Sequence, residues 1–223
     1  MIHFRAWTVA AACATALGLT ACGGGGNDLA QPDTFTTQIL SDPRFDGDIQ
    51  QTSPSSWVVT QGMSGNVQTV FAGIDPVSLT EFRAFLDFPL GGSGGVPGNA
   101  QIDSAFLEIY VDDLQPTNGT LPLRVDLVAF QPPTLLASDY DRTAQPALAS
   151  VIVTPDINPK DVGTFVPIDV TQLMVEAQRR GLVDFPVRIM EDLGPAVDTL
   201  MEIDDTTASD RSKFAPLLTV TYF

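Results

Sequence analysis

Four tight groups of acidic side chains concentrate chemistry in this chain: Asp112-Asp113, Asp139-Tyr140-Asp141, Glu191-Asp192 and Asp204-Asp205. Glycoside hydrolysis needs two carboxyl groups about 5 to 9.5 Å apart across the sugar. Neighbours along a strand face opposite ways, so no doublet forms such a pair by itself. A pair assembled from separate loops remains open. Hard oxygen donors suit calcium better. Asp204, Asp205 and Asp210 flank one loop and are the first candidates for a structural calcium, the one cofactor these residues suggest. No segment carries the EF-hand spacing of Asp, Gly and terminal Glu. Solvated turn acids are the simpler account of the same residues.

Sugar recognition draws instead on exposed aromatic rings with a polar edge. Trp57 and Tyr140 lie beside turn-like segments and are the candidate ligand-binding residues, whereas Tyr110 and Tyr222 fall inside strand patterns. Gap-filling at a sheet edge explains a single tryptophan equally well.

The N-terminus bears on which chemistries are available. A short basic start with Arg5 precedes an apolar run from Ala6 to Leu19 and then small residues, the three-part plan of a secretory signal. Leu19-Thr20-Ala21-Cys22 resembles the bacterial lipobox, which implies cleavage after residue 21, lipidation of Cys22 and a membrane partner reached through lipid. Gly23 in the following position implies the outer membrane of the cell envelope. The apolar run falls short of the roughly 20 residues of a spanning helix.

The mature chain would begin at Cys22 without His3, Cys13, Trp7 and Arg5. It would hold no histidine, and its one cysteine would be acylated. Histidine-assisted serine or cysteine nucleophiles are then excluded, as are zinc sites of histidine or thiolate. Ten basic residues would face 27 acidic ones, a formal charge of −17. Only Lys160 and Lys213 are lysines, and no basic stripe exists, so nucleic acid is not a partner.

These residues need a scaffold, and period-two patterns supply it. Ala84, Leu86 and Phe88 alternate with Arg83, Phe85 and Asp87. Ala105, Leu107, Ile109 and Val111 alternate with Phe106, Glu108 and Tyr110. Similar patterns over residues 67–74, 123–130, 150–154, 164–168, 185–190, 200–203 and 217–223 give about nine strands, punctuated by Pro, Gly, Asn and Asp. The expected fold is all-β, an antiparallel β-sandwich of jelly-roll type. One short α-helix is expected near residues 170–180, with Asp169 and Gln172 as a capping box and Gly181 at its exit. Residues 91–99 read as a loop, residues 22–48 as a flexible tether, and residues 49–223 as a single domain.

Four segments in order carry a further resemblance. They are Arg83-Ala84-Phe85-Leu86-Asp87-Phe88, then Ile102 to Val111, then Val166 to Thr171 before the helix, and finally Ser209-Asp210-Arg211 with Pro216 to Tyr222. The order is similar to that of the DNRLRE-type, or disaggregatase-related, jelly-roll domain. That resemblance spans roughly residues 67–223. It implies a secreted or surface module in contact with glycans, acidic polysaccharide among them, and no catalytic residues. Three functions are therefore expected in order: a non-catalytic envelope lipoprotein presenting a binding or structural surface, a carbohydrate-binding module serving a polysaccharide-degrading system, and a carboxylate-only carbohydrate-active enzyme.

Overall fold

The computed structural model describes residues 33–62, 69–129, 134–192, 198–206 and 210–223. The predicted signal, the lipobox and Cys22 lie outside the described residues. A compact unit runs from Asp33 to Phe223.

Twelve strands form among the described residues, every pairing antiparallel. They are β1 (Phe35–Leu40), β2 (Gly47–Ser53), β3 (Ser56–Gln61), β4 (Thr69–Ile74), β5 (Glu81–Pro89), β6 (Ile102–Gln115), β7 (Leu123–Leu127), β8 (Ala149–Ile152), β9 (Thr164–Asp169), β10 (Asp184–Glu191), β11 (Leu200–Asp204) and β12 (Leu217–Tyr222). Two helices join them, α1 (Thr171–Arg180) and the single turn α2 (Arg211–Phe214).

Register shows how the strands close on one another. Phe106 pairs with both Thr219 and Asp169, so β12 and β9 flank β6 on opposite edges, and β1 extends this layer beyond β12. Ala84 pairs with both Asp48 and Ile189, so β2 and β10 flank β5. The second layer thus reads β3-β2-β5-β10-β7-β8. β11 and β4 bridge the layers, joining the far end of β6 to the start of β5. Gly73 lets β4 and β11 approach: at φ +113° and with a Cβ site 2.2 Å from the Thr199 carbonyl oxygen, no other residue fits.

The expected alternation packs this all-β sandwich. Ala84, Leu86 and Phe88 meet Leu107, Ile109, Val125, Val187 and Leu218 in the core between the layers. The opposite face of β5 is not solvated. Ile49, Phe85, Val128, Leu135 and Tyr140 form a second, smaller apolar cluster there. A 3₁₀ turn at Ala137–Tyr140 lies in the connection contributing to that cluster.

The tether expected over residues 22–48 lies outside the described residues up to residue 32. Between Asp33 and Asp48 the chain is structured: β1 pairs along its whole length with β12, and β2 begins at Gly47. The domain therefore starts near Asp33, not at residue 49. β1 escapes a hydrophobic reading because it is an edge strand whose sole buried apolar side chain is Ile39. β3 is missed for the same reason, being mostly exposed.

Helix α1 occupies the expected span and buries Leu173, Met174 and Ala177. Gly181 closes it in the left-handed conformation, with its N–H and that of Leu182 donating to the last carbonyls. The predicted capping box does not form. The N-cap is Val170, one position later than expected, and Asp169 Oδ1 accepts the Thr171 N–H at 2.9 Å.

Candidate functional site

β2 runs between β3 and β5, so its register sets residues from three strands in rows. Gln51 pairs with Trp57 on one side and Glu81 on the other, and Ile49 pairs with Val59 and Arg83. Directly opposed residues share a face. Trp57, Gln51, Glu81 and Arg83 therefore project from the same side of the second layer, the side that carries the smaller apolar cluster. The 3₁₀ turn brings Tyr140 onto them.

The resulting arrangement is tightly bonded. Arg83 Nε donates to Glu81 Oε1 at 2.7 Å, and its Nη1 donates to the Tyr140 carbonyl oxygen. The guanidinium carbon sits 3.8 Å from the centre of the Tyr140 ring, a cation–π stack. Tyr140 Oη donates to the other Glu81 oxygen at 2.6 Å. Burial, and then this bond to Glu81, raise the phenol well above its ordinary pKa, so it stays a donor. Trp57 packs on the outer side of Tyr140, ring centres 6.4 Å apart and tilted by 52°.

Beside these rings opens a cleft of about 390 Å³ lined by Gln51, Pro54, Trp57, Arg83, Tyr140 and Arg142 among others. The two aromatic candidates are thus brought together, but in different roles. Trp57 is 36% exposed at the mouth, whereas Tyr140 is 5% exposed and serves as the wall that Trp57 leans on. The expectation of Tyr140 as an exposed stacking ring is corrected accordingly: the cation–π and phenol contacts pull it under the loop. Arg142 is the loosely held cation of the cleft. Its Nε lies 3.9 Å from Asp126 Oδ2, an oxygen that Arg188 already engages at 2.8 Å.

Arg83, Glu81 and Arg142 join the candidate site without being among the candidates that the sequence offers. Arg83 carries a legible signal, an arginine inside an otherwise apolar strand. Arg142 is marked only by following the Asp-Tyr-Asp group. A larger open hollow of about 610 Å³ lies where β6, β8 and the start of α1 meet, but its charged lining is Asp103 and Asp169, with no cation.

Among the described residues, the structure does not gather the calcium candidates Asp204, Asp205 and Asp210 around one point. Asp205 is fully buried and accepts from Arg211 Nη1 at 2.9 Å, so a guanidinium fills the place a cation would take. Asp210 faces outward and pairs with Lys213 at 2.9 Å. Asp204 accepts the Thr206 N–H at 2.7 Å. Each acid has its own partner, and among the described residues no group of three or more His, Cys, Asp or Glu is placed to hold a metal.

Among the described residues, Asp141 is the one carboxylate that lines the cleft. Both Glu81 oxygens are bonded, and Asp141 Oδ1 accepts from the Thr143 N–H and hydroxyl. No protein-family model matches the chain, and no curated protein is significantly similar to it in sequence.

Proposed function

We propose that this chain is a non-catalytic, lipid-anchored envelope protein whose β-sandwich binds a glycan in the Trp57 cleft. The observation that carries the reading is the half-exposed Trp57 ring braced on Tyr140 at the mouth of an open cleft, with the Arg142 guanidinium beside it. A flat apolar ring suits the hydrogen-rich face of a sugar, and a loosely paired arginine suits hydroxyl or carboxylate oxygens. The order of segments resembling DNRLRE-type domains and the lipobox Leu19-Thr20-Ala21-Cys22 support the same reading. Engagement of Glu81 and Asp141 within the protein supports binding without catalysis.

Detergent-solubilised full-length chain, tested against a panel of neutral and acidic polysaccharides by affinity electrophoresis, decides the matter. Retardation by at least one polysaccharide is expected, weakened about tenfold, or 1.4 kcal/mol, in Trp57→Ala. Retardation unchanged by Trp57→Ala would remove the cleft from the proposal. No retardation by any polysaccharide would favour a purely structural envelope module.

A further inference from the structure

A second polar cluster, unrelated to the cleft, sits where the β1–β2 corner meets the β11–α2 corner. Asp46 and Asp205 are both completely buried. Asp46 Oδ1 accepts the Asp87 N–H at 2.9 Å, and Asp205 Oδ1 accepts from Arg211 at 2.9 Å. Both carboxyl groups lie against the one Arg211 guanidinium, and their buried Oδ2 atoms have no hydrogen-bond partner among the described residues. Arg211 reaches across both corners. Its Nη2 donates to the Ser41 carbonyl oxygen and to Ser41 Oγ at 2.9 Å, and lies 3.6 Å from Asp46 Oδ2.

Two acceptor-only carboxylates cannot bond to one another; one proton between them turns them into a donor–acceptor pair. A single guanidinium then balances the single remaining charge. We propose that Asp46 and Asp205 share one proton, and that this proton pins the β1–β2 corner to the β11–α2 corner so that alkaline pH loosens β1. Without the proton, two buried carboxylates face one arginine, an uncompensated charge in a dry site.

Every charged neighbour argues the same way or is already paired. Asp42, in the same corner, is bonded to Arg44. Burial first, and last Asp204 at the end of β11, raise the Asp205 carboxyl. Asp87 of β5 presents its backbone N–H to Asp46, while its own carboxyl is raised to about 7 by burial, then by Asp184 of β10 and Asp42. Arg211 alone opposes them. Burial first, and then Asp205, push the Asp46 carboxyl well above its ordinary range.

The sign follows from linkage. A carboxyl raised on folding stabilises the native state fully below its unfolded pKa, and that contribution is lost as pH rises through the folded one. β1 should therefore be firmly held at mildly acidic pH and open more readily above neutrality.

Hydrogen exchange of the full-length chain, read by mass spectrometry on peptides covering residues 35–47 and corrected for intrinsic rate, tests this. Read from about pH 5 to about pH 8.5, protection of β1 should fall by up to about tenfold per pH unit while the shared proton is being lost. Asp46→Asn, which keeps an uncharged donor, should retain β1 protection across that range. Asp48→Asn should leave the loss in place. Pinning is overturned if the unmodified chain shows no pH dependence in β1, whatever the variants do. It is equally overturned if Asp46→Asn loses protection as the unmodified chain does, or if Asp48→Asn abolishes the effect. Restoration of β1 at about pH 8.5 by millimolar calcium would overturn it too, marking the pair as a cation site.

Discussion

Arg188 Nη2 donates to Asp126 Oδ2 at 2.8 Å from the directly opposing position of the neighbouring strand, and neither side chain touches solvent. Ser150 Oγ donates to the other Asp126 oxygen at 2.6 Å. Arg188 Nη1 donates to the carbonyls of Asp139 and Gln145, tying the sheet to the turn that carries Tyr140. Desolvation lowers the arginine pKa while Asp126 raises it, so the pair survives by mutual neutralisation.

Removing one member should cost far more than removing both. Asp126→Ala leaves a buried guanidinium without its counter-charge and is expected to destabilise by about 3–5 kcal/mol. The double change Asp126→Leu with Arg188→Met should recover most of that loss. Urea unfolding of the single and double variants checks the pair.

Tyr140→Phe keeps the ring and deletes its bond to Glu81, a contact to a charged acceptor worth about 1.5–3 kcal/mol. A loss of that order in urea unfolding is expected. Weaker polysaccharide retardation should accompany it, because Glu81 also orients Arg83. Unchanged unfolding would mean that the phenol is dispensable.

Leu79 adopts φ +56°, the left-handed region, in an exposed turn between β4 and β5 where its side chain is 64% exposed. The turn is held by Asp75, which accepts from the Val77 N–H at 2.9 Å and the Ser78 hydroxyl at 2.5 Å. Leu79→Gly should relieve strain of about 1 kcal/mol and raise the melting temperature. A lower melting temperature would show that the leucine contributes contacts that outweigh the strain.

Asp48 supplies a pH dependence of its own. Burial pushes its carboxyl up to about 7, against bonds from the Phe71 N–H and the Thr60 hydroxyl that pull it down. The unfolded value is about 3.9. Folding therefore takes up a proton between those values, and stability should decline as pH rises from about 4 to about 7, then level. Asp48→Asn should flatten part of that decline in denaturant midpoints measured across the window.

The strands with one apolar face were legible because their alternation is driven by the core. Ala84, Leu86 and Phe88 could lie only on the inner side of a sheet, and Gly181 could mark only a helix exit. β1 and β3 gave no such sign, because pairing with β12 and β2 holds them while their side chains stay largely outside. Tyr140 stands out in the sequence as a candidate, but its burial depends on Arg83, 57 positions away. Asp205 was legible as an acid in a loop. Arg211 turned it from a metal ligand into an ion-pair partner, and that pairing depends on where α2 lands.

Beneath Trp57 the polar groups of Glu81, Arg83 and Tyr140 are already satisfied by one another. A ligand entering the cleft would meet a surface set in advance, with no wall residue having to surrender a partner to receive it. The ordering cost of association would then fall on the ligand and on Arg142. Selectivity among ligands would reflect their stiffness and shape more than any adaptation by the protein.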